Sequence, residues 1–409
     1  MAVQTAQQRS APLTLWRNKN FLLIWFGSMI SNFGMQMYII TIPLLIYDIS
    51  QSALAMSTMR AIEFFPNIFI GMIVGVFVDR FNRKKMMAWT SFIQVATITG
   101  IILLLMTDQL AIWHLYILGF ILSSAGYTFG NANHSVLPQI VTKEQLTSAN
   151  AQMTFVNTFI QMIGPGLAGA ALLVFSYTST LMVYMVCLFI LYICVQLIRL
   201  PANNHTTKQH NSMLRDIKEG IDELFFNKTL LTPTITILFV NFAASLITGV
   251  LIFYVKDQLG ATSAQVGLMF SISAIGGLLG AAIINHIRKQ FGRGNIFTFC
   301  LLIDACAMGV LIVAPTWWAI GISLAIRTFA ITMSNIVYFT IRQEFTPNHL
   351  LGRVSGTSSM LMKLTLPLGL FIAGLWAEWF SVRILFIFST LIILIMFIRL
   401  YFHSFRKLV

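Results

Sequence analysis

The chain is poor in charge. Of 409 residues only 10% are charged, and 13 are acidic. A soluble protein needs roughly a quarter of its residues charged to cover its surface, so a soluble arrangement is excluded. Cysteine is scarce as well. Cys187, Cys194, Cys300 and Cys306 lie inside apolar runs without metal-ligand spacing or histidine partners, which argues against disulfides and a zinc site. No Walker loop, nucleophile–base pair or metal cluster occurs, so ATP drive and enzymatic chemistry have no residues. The first 20 residues carry Arg9, Arg17 and Lys19 and no apolar stretch before a cleavage site; no cleaved leader is expected. Hydrophilic segments longer than a dozen residues are limited to the N-terminal tail and 200–228, which leaves no room for a soluble catalytic domain.

What is present is apolar. Hydrophobic residues make up 57% of the chain, Phe alone numbers 34, and mean hydropathy is +0.81. Runs of about 20 apolar residues mark transmembrane helices. Twelve are predicted, at 21–47, 53–78, 86–107, 109–135, 147–174, 178–199, 229–254, 263–286, 295–314, 317–344, 354–378 and 382–401. The expected class is an all-α membrane protein.

Lysine and arginine are expected to stay on the cytoplasmic side. With both termini inside, 21 of the 26 fall in cytoplasmic segments. Lys256 and Arg383 fall outside, and Arg60, Arg327 and Lys363 fall within spans. The net charge of +13 is therefore mostly topology. The lipid bilayer is the expected partner and nucleic acid is not.

The chain divides into a six-helix half at 1–199, a linker at 200–228 and a second half at 229–409. In the linker, Met213, Leu214, Ile217, Ile221, Leu224 and Phe225 share one helical face opposite Arg215, Asp216, Lys218, Glu219, Asp222 and Glu223. This is expected to be an interfacial helix tying the halves together. Gln139/Gln343, Thr142/Thr346 and Leu146/Leu350 recur at an offset of 204, and Gly75/Gly280 at 205. Two parallel repeats around a central site are expected.

Between spans two and three stands Gly75-Val-Phe-Val-Asp79-Arg80-Phe-Asn-Arg83-Lys84-Lys85. It closely resembles the cytoplasmic loop signature of the major facilitator superfamily, Gly-x-x-x-Asp-Arg-x-Gly-Arg-Arg. The resemblance implies a gate, in which Asp79 faces the N-terminus of the eleventh span near Gly352–Ser355 and the basic residues find acids such as Glu144. Asn82 stands where the pattern has glycine, and asparagine tolerates left-handed geometry. In span five, Gly164-Pro165-Gly166-Leu167-Ala168-Gly169 resembles the Gly-Pro-x-x-Gly-Gly motif of exporters in this superfamily, with Ala168 for one glycine; ordinary small-residue packing is the alternative. The fourth-span arginine of many proton-coupled drug exporters is missing. Leu15-Trp-Arg-Asn-Lys-Asn-Phe21, Ser31-Asn-Phe-Gly34, Asp216-Ile-Lys-Glu-Gly220 and Leu351-Gly-Arg-Val-Ser-Gly356 are similar to the macrolide-efflux and enterobactin-exporter group.

Charges within a bilayer are costly and point to function. Glu63 lies 16 residues before Asp79, about 24 Å of helix, with Arg60 three residues earlier. Glu63 is a candidate protonatable or cation-binding group, or one member of a structural pair with Arg60. Asp304, Arg327 and Lys363 all count to mid-membrane and are expected to form one network; Asp304 is a proton carrier or a structural counter-ion, while Arg327 and Lys363 are placed to meet an anionic substrate. Asn32, Gln36, Asn131, Asn133, Asn241 and Asn335 can orient a substrate or bond helix to helix. The resemblance implies a monomeric secondary transporter of the cell membrane, without cofactor, using the proton gradient to export amphiphilic drugs such as macrolides. Siderophore or metabolite export comes second, proton-coupled uptake third, and a non-transporting sensor or scramblase is the reading of another class.

Overall fold

Apolar runs of this length can satisfy their backbone groups in lipid only by bonding within the segment, as helices. The computed structural model describes residues 15–80, 82–199, 213–347 and 350–408, and among these no strand occurs. The helices are α1 Lys19–Ser50, α2 Ala53–Arg80, α3 Arg83–Met106, α4 Ile112–Ile140, α5 Lys143–Ala171, α6 Tyr177–Leu197, α7 Met213–Phe226, α8 Lys228–Thr248, α9 Leu251–Phe253, α10 Ser263–Ile287, α11 Arg293–Val313, α12 Trp317–Phe345, α13 Leu351–Lys363, α14 Leu366–Trp379 and α15 Val382–Tyr401. Ten segments among the described residues are long and apolar enough to cross a bilayer. The helices α2 and α5, at 28 and 29 residues, have the length but fall outside those ten.

Two spans differ from the single helices expected. The run 354–378 is broken into α13 and α14, because Pro367 has no N–H to return to the Lys363 carbonyl. The run 229–254 continues past α8 through α9 into a π-helical turn at Tyr254–Gln258, closed by Gly260 at φ +63°.

Each long helix reverses direction, so the chain has a proximal end, where α1 begins and α15 finishes, and a distal end. At the proximal end Asn18 Nδ2 donates to the Ile140 carbonyl at 2.5 Å and Asn20 Nδ2 to that of Arg199 at 2.9 Å. Gly294 N donates to the Leu408 carbonyl at 3.0 Å. Within the first half α1 packs on α5 and α6, and α3 on α4 and α6; within the second, α12 packs on α10 and α11, and α15 on α8 and α11. The halves meet along α5 with α10 and α2 with α14. At the distal end Lys256 Nζ lies 3.7 Å from Asp48 Oδ1, and the Tyr177 hydroxyl bonds both Asp48 Oδ2 at 2.7 Å and Ser263 Oγ at 3.2 Å.

The amphipathic stretch of the linker forms α7, which docks on α13. Glu219 pairs with Arg353, Gly220 lies under Arg353 and Thr357, and Leu224, Leu230 and Val354 form a small buried cluster. Ile221, Phe225 and Phe226 remain exposed.

Candidate functional site

The first half encloses a cavity of about 440 Å³ whose walls come from α1 to α6. It runs from Tyr38, Arg60 and Glu63 at depth to His134, Leu137 and Asn150 near the proximal ends of α4 and α5. Arg60 and Glu63 are one turn apart on α2. Arg60 Nη1 donates to Glu63 Oε2 at 3.0 Å, while its other amine holds the Ile39 carbonyl of α1. The pair is mostly buried, at 17% and 13% exposure. Glu63 Oε1 and the Tyr38 hydroxyl have no hydrogen-bond partner among the described residues. The site thus combines an ion pair anchored to a neighbouring helix with the Tyr38 hydroxyl beside the same carboxylate. A carboxylate so placed can accept a hydrogen bond or a proton.

Asn32 stands on the same wall and donates to Asn157 Oδ1 at 2.7 Å. Asn133 lines the cavity too and reaches Ser28 Oγ at 3.4 Å. Gln36 does not: it is buried at 5% exposure and fills the space that a side chain at Gly164 would need. Asn131 bonds its own helix at Tyr127, and Asn241 bonds the Met362 carbonyl.

A second cavity of about 60 Å³ lies in the other half, lined by Asp304, Arg327, Asn241 and Asn335 among others. Arg327 Nε is 3.3 Å from Asp304 Oδ1. The two are not aligned for a hydrogen bond, and both Asp304 oxygens lack one among the described residues. Lys363 does not join them. It is exposed at the end of α13 and lines neither cavity, so the expected three-member network is a pair. The two cavities described lie one in each half.

The exporter-type motif divides its glycines between partners. Gly164 meets Gln36 of α1, whereas Gly166 meets Ser271 of α10 and Gly169 meets Gly267 of α10, the last pair backbone on backbone. Pro165 lies inside α5. In the loop motif Arg83 donates to the Ser135 carbonyl at 3.0 Å and Lys84 to that of Gln196 at 2.8 Å, tying the loop to α4 and α6. Asn82 is extended at φ −64°, not left-handed, and caps α3 by accepting from Lys85 N. The side chains of Asp79 and Arg80, the surroundings of Gly75, and the expected partners Glu144 and Gly352 lie outside what is described.

Tyr38, Tyr127, Tyr184 and Asn157 line the large cavity without having been singled out from the sequence. The signal was there: Ser28, Ser31, Asn32, Met35 and Tyr38 recur at helical spacing, as do Asn150, Thr154 and Asn157.

Long apolar helices in two packed groups, and a part-polar cavity holding a mostly buried ion pair, define a multi-pass membrane transporter. The chain belongs to the Major Facilitator Superfamily, whose profile matches residues 24–369 and, in a second match, 234–407. It is 23% identical over 397 residues to macrolide efflux protein A of Streptococcus pyogenes, covering 96% of this chain and 98% of that one. It is 23% identical over 296 residues to the enterobactin exporter EntS of Escherichia coli O81 (strain ED1a), covering 71% and 69%. Among solved structures, a mutant of the nucleoside transporter NupG superimposes with a TM-score of 0.76 at 12% identity, over 93% of this chain and 99% of that one.

Proposed function

We propose that the chain is an efflux transporter of the bacterial plasma membrane that exchanges protons for amphiphilic drugs, macrolides among them, by alternating access. The observation that carries this reading is the 440 Å³ cavity with Glu63 at its deep end. Its volume suits a small-molecule site, and Tyr38, Phe64, Tyr127 and Phe129 beside Asn32, Asn133 and Asn157 offer an amphiphile both kinds of contact. The Glu63 carboxylate can hold a proton in one state and release it when a cationic substrate approaches. Both relatives named above are exporters by their names, and the charge distribution favours cytoplasmic termini.

Siderophore export is the second reading, supported by the enterobactin exporter among the relatives. It needs Arg327 and Lys363 as anion-binding cations. Arg327 faces Asp304 and Lys363 lines neither cavity, so drug export stands first.

The test is proton movement in energised everted vesicles challenged in turn with cationic dyes, macrolides and catecholate siderophores. One compound class is expected to alkalinise the lumen, and Glu63→Gln to reduce that response by about tenfold or more. Silence across the panel with correctly inserted protein would sink the antiport reading. Acidification on adding compound would reverse the direction of flux to uptake.

A further inference from the structure

The helix α2 begins with an N-terminus that its own sequence leaves uncompensated. Its first turn has no acidic residue, although the first amides of a helix are partly positive and lack intrahelical acceptors. Ser52 provides part of a cap, its Oγ accepting from Ala55 N at 3.1 Å. The helix α14 has the opposite defect. Glu378 stands in its last turn, beside Trp379, with no basic residue there to offset it, and a helix C-terminus repels a carboxylate.

The two defects meet across the halves. Glu378 Oε1 accepts the Ser52 hydroxyl at 2.6 Å and Leu54 N at 3.2 Å. One turn earlier, Gly374 lets α14 lie directly against Ser57 of α2. Residues four apart share a helix face, so Gly374 and Glu378 make one contact strip. On the other edge of the same distal end stands the Asp48–Lys256 pair.

We propose that Glu378 is a gating residue of the distal end, capping α2 from the opposite half only while that end is shut. When the halves rock apart, Ser52 and Leu54 lose their acceptor and Glu378 is left at the unfavourable end of its own helix. The contact therefore belongs to one state alone, the condition for biasing an equilibrium between two. It requires that the halves move, and neither a particular substrate nor proton coupling, so failure of the efflux reading leaves it standing.

Spin labels at Gln109→Cys, between α3 and α4, and at Val313→Cys, ending α11, report the distal separation by pulsed EPR in a Cys306→Ser background; the other three cysteines are buried. Glu378→Ala is expected to raise the ratio of long to short distances about fivefold, in keeping with the loss of a helix cap. Glu378→Gln, which keeps the acceptor without the charge, is expected to fall between. Ser52→Ala, made in the opposite half, should shift the ratio the same way by less and fall short of adding in full to Glu378→Ala, since the Ser52–Glu378 bond is lost in both. An unchanged ratio in Glu378→Ala overturns the proposal, and so does full additivity of the two substitutions.

Discussion

Asp304 is 2% exposed and faces Arg327 across 3.3 Å. Removing one member of a buried pair leaves the other charge without compensation, which costs about 3 kcal/mol or more. Asp304→Asn is therefore expected to lower the melting temperature of detergent-solubilised protein. The double variant Asp304→Asn/Arg327→Gln, with no lone charge left, is expected to recover much of that loss. Fluorescence-detected melting of both, with Arg327→Gln alone beside them, checks this, and simple addition of the two single losses would show the pair to be uncoupled. Counting 1.5 Å per residue from the flanking arginines brought Asp304 and Arg327 to one depth, and they do meet. The same count misled for Lys363, because rise along a helix fixes depth and says nothing of direction around the axis.

Among the elements, α7 was legible from its periodicity, since one face of Ile221, Leu224 and Phe225 opposite acids and lysine has a single helical solution. Its seat on α13 was not legible, because Gly220 reads as a helix weakness until Arg353 and Thr357 are found above it. A side chain there has to push the two helices apart. Gly220→Val is expected to release α7 and raise the rate of tryptic cleavage after Lys218 about tenfold or more, with melting of the remaining helices little changed. Timed proteolysis followed by mass spectrometry reads this out. Pro367 carries the signal for the break between α13 and α14, but the apolar run continues across it and looks like one span.

For the whole molecule, hydropathy and the alternation of basic loops carried the class and the order of helices, because lipid permits few ways to satisfy a backbone. The packing of one half against the other leaves no trace in hydropathy, because the approach of α5 to α10 and of α2 to α14 is made at small residues such as Gly169, Gly267 and Gly374. Orientation has a direct check. A membrane-impermeant maleimide on intact cells is expected to label Gln109→Cys, at the distal end, and to label Gln290→Cys only after permeabilisation. The reverse pattern would invert the topology and with it the direction of transport.

The two cavities differ in volume about sevenfold, at about 440 and 60 Å³, though they lie in halves whose sequences still echo each other. Each cavity is lined by an ion pair, Arg60 with Glu63 in one and Arg327 with Asp304 in the other. Around the larger, substitutions on α1, α2, α4 and α5 have room before they meet the opposite wall, whereas around the smaller an added methylene has to displace a neighbour.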